Sequence, residues 1–156
     1  MLYFRKDLKM ALYHKHLIIR AEVGTPIKDP NEAKEWLVKL IDSIDMKLLQ
    51  CISANPNAGY CDLEGNRGLT AVALIETSHI VMHIWDEGNP STVQLDVYTC
   101  GCLDIATVFK ALDIMNPSKI DYKFIDREYN VQDITPVVKK EETWFDKFLT
   151  YLRLPG

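Results

Sequence analysis

The chain has 156 residues, a hydrophobic fraction of 47%, a charged fraction of 26% and a formal net charge of −4, which predicts one compact domain able to bury about two thirds of its unfolded surface without staples. The scattered basic residues exclude the footprint of a nucleic-acid binder, and no apolar run approaches the ~20 residues of a membrane helix. The opening Met-Leu-Tyr-Phe-Arg-Lys-Asp lacks the charged start and apolar stretch of a signal peptide, so a cytoplasmic protein is expected.

Residues 16–23 (HLIIRAEV) predict a buried strand, broken by Gly24-Thr25-Pro26. Asp29-Pro30-Asn31-Glu32 is a helix start, with a capping Asp, Pro at the first position and Glu at the third. Ala33, Trp36, Leu37, Leu40, Ile41 and Ile44 then recur at helical spacing. Residues 46–53 predict a strand, and Asn55-Pro56-Asn57-Ala58-Gly59 a turn. Residues 69–76 (LTAVALIE) are a near-continuous apolar run, expected of a central strand. Residues 79–85 are the next strand and Gly88-Asn89-Pro90 the next turn. Residues 92–99 alternate, with Val93, Leu95 and Val97 on one face and Gln94, Asp96 and Tyr98 on the other. Ile105, Val108, Phe109, Leu112 and Met115 mark a second helix, stopped by Asn116-Pro117. Residues 120–127 predict the last strand. Beyond them, 133–140 read as a connector and 143–152 as an amphipathic helix carrying Trp144, Phe145, Phe148, Leu149 and Leu152.

The order β-α-β-β-β-β-α-β-α, joined by short turns, predicts an α+β two-layer sandwich: a largely antiparallel sheet with helices on one face. A domain of residues 1–130 would be followed by a C-terminal connector and helix, 131–156. The other sheet face must meet solvent, a partner or a ligand, and a second copy of the chain is the expected cover.

Residues 76–87 read Glu-Thr-Ser-His-Ile-Val-Met-His-Ile-Trp-Asp-Glu. On a strand, His79, His83, Trp85 and Glu87 share one face, and Ile80, Met82 and Ile84 the other. Ser78 falls at the bend between two strands. A serine at a bend and a histidine on a strand are ordinarily structural, and His79 keeps that reading. Trp36 and Trp144 sit on helical apolar stripes and read as core or interface. None of the four cysteines forms a C-x-x-C pair, which argues against a zinc ribbon, and disulfides are not expected in a cytosolic chain. Cys51, Cys61 and Cys102 read as buried, inert thiols. His79 and His83 with Cys100 or Cys102 are the metal alternative. No pair among them has a common zinc spacing, so no metal is expected.

Ser78-His79, then His83-x-Trp85-x-Glu87, then Leu95-Asp96-Val97-Tyr98-Thr99-Cys100-Gly101 resemble the bacterial-type S-adenosylmethionine decarboxylase family. Its members carry Glu-Ser-His, His-Thr-Trp-Pro-Glu and Asp-x-Phe-Thr-Cys-Gly in that order. Gly68-Leu69-Thr70 and His16-Leu17-Ile18-Ile19 resemble two further family segments, and the likeness covers roughly residues 10–128. The resemblance implies a self-processing, pyruvoyl-dependent decarboxylase that converts S-adenosylmethionine to its decarboxylated form for spermidine synthesis. The Thr77–Ser78 bond would break by an acyl shift onto the Ser78 oxygen, giving residues 1–77 and 78–156, and elimination would leave a covalent pyruvoyl group at residue 78. That carbonyl would form a Schiff base with the substrate amine and take up the electrons left by carbon dioxide. The resemblance makes Cys100 the proton donor to the substrate carbon and gives His83 a part in the elimination. It gives the Thr70 hydroxyl a part in the acyl shift, Trp85 the adenine and Glu87 the ribose hydroxyls. It also implies a homodimer with active sites near the interface.

The chain departs from the family pattern at several places. Thr77 stands where the family has Glu, and Asp86 where it has Pro. The Phe that covers the second face of adenine has no counterpart, Leu63 and Glu64 standing nearby. The stretch from Ser78 to Cys100 is about two residues longer, in the 88–91 turn. These departures motivate two alternatives: a pyruvoyl-dependent ornithine or arginine decarboxylase of the same fold, or an uncleaved, non-catalytic regulatory relative.

Overall fold

The computed structural model describes residues 13–137, and its first strand already shows the division that organises the fold. In β1 (Lys15–Val23), Leu17, Ile19, Ala21 and Val23 are buried while Ile18 and Arg20 are exposed, the period-two pattern of a strand with one covered face. Helix α1 (Pro30–Ser43) begins where Asp29 accepts hydrogen bonds from the backbone N–H groups of Asn31 and Glu32, with Pro30 in its first turn. It buries Ala33, Trp36, Leu37, Leu40 and Ile41. Three strands follow β2 (Asn57–Cys61): β3 (Gly68–Ile75), β4 (Ser78–Trp85) and β5 (Ser91–Thr99). Helix α2 (Ile105–Leu112), capped by Asp104, buries Ile105, Val108, Phe109 and Leu112. Strand β6 (Pro117–Asp126) and the short β7 (Gln132–Asp133) complete the described chain.

The strands form one seven-stranded sheet in the order β2-β3-β4-β5-β1-β6-β7, every neighbouring pair antiparallel. A single apolar cluster takes one face of the strands together with the buried faces of both helices, and the Trp36 indole N–H donates to the Ala111 carbonyl across the helix pair. The fold is the expected α+β sandwich, with helices on one side and, among the described residues, nothing covering the other. No helix among the described residues is long and apolar enough to cross a membrane.

Four local expectations are corrected. Residues 46–53 form no strand. Leu48 makes an isolated bridge to Ile75, Asp45 turns the chain with φ 55°, and residues 50–53 are exposed turn. The strand lies instead at β2, which begins inside the stretch read as a turn and runs on to Cys61. Four of its five residues are exposed, so an edge strand of this kind carries none of the apolar alternation that marks a strand in sequence. The second helix ends at Leu112, and a 3₁₀ turn, Asp113–Met115, carries Met115 into the core before left-handed Asn116. Finally, Cys51, Cys61 and Cys102 are exposed rather than buried. In the segment read as a connector, Gln132–Asp133 pairs with the edge of β6. The helix expected over 143–152, with Trp144, lies outside the described residues.

Candidate active site

Strands β3 and β4 are joined by the shortest practical turn. Ile75 pairs with Ser78, so Glu76 and Thr77 alone reverse the chain. A two-residue reversal needs positive φ, normally supplied by Gly or Asn; here Thr77 takes it, at φ 58°. A β-branched residue in the left-handed region is a genuine outlier. Beyond the end of β5 the chain brings Cys100 to this turn. Its backbone N–H donates to the Ser78 Oγ at 2.8 Å. Its Sγ lies 2.9 Å from the Thr77 hydroxyl and 3.4 Å from the Glu76 carbonyl oxygen. Ser78, Thr77 and Cys100, picked out in the sequence, are therefore one cluster.

A second cluster lies farther along the same hairpin. Thr70 and His83 face each other in the β3–β4 ladder, and the Thr70 Oγ is 3.0 Å from His83 Nδ1. Trp85 shares that face, its ring 5.8 Å from the imidazole, and its indole N–H donates to the Asn66 side-chain oxygen. The close approach of β3 to β4 here requires a glycine: a Cβ on Gly68 would fall 1.8 Å from the Ile84 carbonyl oxygen. Glu87, just past the strand, accepts from the Gly65 N–H at 2.8 Å. Asp86, between Trp85 and Glu87, turns inward with its side chain 1% exposed. It accepts from the Tyr60 hydroxyl at 2.9 Å and from Arg67 Nε at 3.1 Å, and it pairs with Lys28 Nζ at 3.2 Å. Burial pushes the Asp86 carboxyl up, and the hydrogen bonds from Tyr60, Lys28 and Arg67 together outweigh it, leaving it below the ordinary carboxylate value. Three successive residues thus pin loop 62–67 against the Trp85 end of β4. Sequence reasoning missed Asn66, Arg67 and Tyr60; the one available signal was an Asp in the place of the family's Pro.

The two clusters do not meet within one chain. Ser78 and His83 stand five residues apart on a single strand, about 16 Å at ~3.3 Å per residue. Between them, on the uncovered face, His16 Nε2 and His79 Nε2 lie 2.6 and 3.4 Å from one oxygen of Asp96. The Tyr98 ring packs against both imidazoles and under the Arg127 guanidinium. Burial raises the Asp96 carboxyl, and the His16 and His79 contacts more than reverse this. His79 therefore sits in a network with His16, Asp96 and Tyr98. Among the described residues no group of His, Cys, Asp and Glu is arranged to hold a metal ion. A shallow cavity of about 690 Å³ opens on this face, bordered by Arg20, His79, His83, Gln94, Asp96 and Lys123.

A family model described as S-adenosylmethionine decarboxylase matches residues 15–128. The S-adenosylmethionine decarboxylase proenzyme of Persephonella marina is 37% identical over 84 residues, which are 51% of this chain and 56% of the relative. The proenzyme of the same name from Aquifex aeolicus is 41% identical over 64 residues, 38% of this chain and 44% of the relative. The chain thus spans about half the length of the curated relatives it matches. The crystal structure of the adenosylmethionine decarboxylase from Aquifex aeolicus is similar in fold, with a TM-score of 0.52 at 23% identity, covering 85% of this chain and 98% of that one.

Proposed function

Since the chain belongs to the S-adenosylmethionine decarboxylase family, we propose that it cuts its own backbone between Thr77 and Ser78 and then acts as a cytoplasmic carboxy-lyase on S-adenosylmethionine in spermidine synthesis. The observation that carries this reading is the turn itself: a left-handed Thr77, a serine hydroxyl held by the Cys100 backbone N–H, and the Cys100 thiol 2.9 Å from the Thr77 hydroxyl. In the cut, the Ser78 oxygen adds to the Thr77 carbonyl carbon, the C–N bond breaks, and the hydroxyl proton ends on the Ser78 nitrogen. The Ser78 Cα–H and Cβ–O bonds then break, Thr77 leaves as a carboxylate, and water takes the place of nitrogen, released as ammonia, to complete a pyruvoyl group. The residues present fit that group, because Ser78 supplies its atoms and Cys100 lies against them. A pyruvoyl group supplies an electron-withdrawing carbonyl that accepts a substrate amine and stabilises the charge left when carbon dioxide departs.

The chain's own residues do the rest. Cys100 holds a proton beside residue 78, where a substrate carbon needs one returned. Trp85 offers a flat face to adenine, worth on the order of 0.5–1.5 kcal/mol beyond area burial. Glu87 uses one oxygen on Gly65, and its carboxylate has a second oxygen for the ribose. The separation of about 16 Å between Ser78 and His83 supports a homodimer in which one protomer's Thr70–His83 pair, with Trp85 and Glu87, serves Ser78 and Cys100 of the other. The uncovered face favours such pairing, since Ile18 and Leu74 are 41% and 38% exposed on it.

Denaturing mass spectrometry of the purified protein tests the reading. The wild type should separate into residues 1–77 and a blocked chain 78–156 that releases carbon dioxide from S-adenosylmethionine and not from ornithine or arginine. Ser78→Ala should remain at full length and be inactive. A wild type that stays uncut would overturn self-processing, and release from a basic amino acid alone would overturn the substrate.

A further inference from the structure

Resting on the self-cleavage reading, we propose that Thr77 is a positioning residue that loads the bond to be cut and holds the Cys100 thiol until the cut is made. Two independent observations meet at this residue. Its backbone lies at φ 58°, a region that costs a branched L-residue free energy because Cβ crowds the following carbonyl. Its hydroxyl lies 2.7 Å from the Glu76 carbonyl oxygen and 2.9 Å from Cys100 Sγ, and the thiol in turn lies 3.4 Å from that carbonyl. The hairpin register forces the conformation, because Ile75 and Ser78 are locked as a pair and leave two residues to turn.

The strain falls on the residue whose carbonyl carbon the Ser78 oxygen attacks. When the oxygen adds and the C–N bond breaks, with the hydroxyl proton passing to the Ser78 nitrogen, the path from Thr77 to the Ser78 Cα runs through Oγ and Cβ in place of the nitrogen and is one atom longer. The two-residue turn is then no longer imposed, and Thr77 can leave the left-handed region. Relief therefore begins with the shift itself, and lost strain would slow it. The same release withdraws the Thr77 hydroxyl from Cys100. In the uncut chain the thiol is engaged by the turn. After the cut Thr77 is a free chain end, and the thiol is open to substrate. Thr77 would in this way order the two stages of the enzyme, with the proton donor freed by the event that completes the site.

Two variants separate the two halves of the proposal. Thr77→Val keeps the branched side chain and removes the hydroxyl; Thr77→Gly removes both strain and hydroxyl. In an uncleavable Ser78→Ala chain, iodoacetamide labelling of Cys100 is followed peptide by peptide, with exposed Cys51, Cys61 and Cys102 as references in the same molecule. Adding Thr77→Val should speed Cys100 labelling several-fold and leave the references unchanged; equal rates at Cys100 would overturn the latch. In the cleavable chain, Thr77→Gly should slow appearance of the 78–156 fragment by roughly five- to thirtyfold, the factor that matches the left-handed cost. The same substitution in the Ser78→Ala chain should raise the melting temperature. Cleavage as fast as wild type, or a melting temperature no higher, would overturn the strain. A wild type that never cleaves would count against self-processing, while the labelling and melting measurements would still decide what Thr77 does.

Discussion

At the scale of single residues, what matters is which atom of each makes the contact. Cys100 reaches the turn twice, through its backbone N–H to Ser78 and through its thiol to Thr77. Cys100→Ala leaves the first contact in place, so the variant should still be cut, at least in part. It should lose most turnover, since a methyl group has no proton to return. Fragment mass and carbon dioxide release read the two effects separately, and unchanged turnover would remove the thiol from the site. Asp86 allows a different test. Its carboxyl is held below the ordinary value in the folded chain, so its contribution is present above the unfolded value near 3.9 and is lost as pH falls through the folded one. Asp86→Asn should cost about 1–3 kcal/mol at neutral pH, the usual penalty for breaking a buried hydrogen-bonded group. The gap between thermal melts of variant and wild type should begin to close as pH falls below about 4, and a gap independent of pH would show that the charge contributes nothing.

Among the elements, the β3–β4 hairpin carries both clusters, and the loop pinned beneath it sets the far one. Asn66 is the loop's contact with the Trp85 indole. Asn66→Ala should therefore raise KM for S-adenosylmethionine several-fold, with processing at Ser78 unaffected; slower processing and an unchanged KM would contradict that role. This hairpin was also the most legible part of the chain. Its strict alternation placed His79, His83 and Trp85 on one face, where the structure has them, because one side of a half-buried strand must be apolar. The cap at Asp29 was legible for the same local reason. Strand β2 was not, since an exposed edge needs no apolar pattern and its pairing is decided by β3. Nor did motif order reveal that Ser78 and His83 occupy separate clusters. The order of residues along a strand says which face they share, while about 3.3 Å for each residue decides whether they touch. The loop contacts of Asn66 and Arg67 depend on the β2–β3 closure and left almost no trace in the sequence.

For the molecule as a whole, the proposed function makes assembly a condition of chemistry, because the two clusters are separate. Light scattering at assay concentration should give a dimer. Ser78→Ala and His83→Ala chains, each defective alone, should yield cut His83→Ala chains when produced together, because the first keeps its histidine and the second its serine. Absence of any fragment from the mixture would place His83 in the same chain as the serine it serves. The strand order has a consequence of another kind. Cutting after Thr77 leaves β1, β2 and β3 on one piece and β4, β5, β6 and β7 on the other. The sheet reads β2-β3-β4-β5-β1-β6-β7, so β1 of the first piece lies between β5 and β6 of the second, and three ladders join the pieces. A cut protein is thus woven from two chains, and neither can slide away without tearing the centre of the sheet. It should travel as one particle under native conditions and fall into two only on denaturation. Its recovery from denaturant should then depend on concentration, as a meeting of two partners must, whereas the uncut Ser78→Ala chain carries both halves of the weave on a single thread.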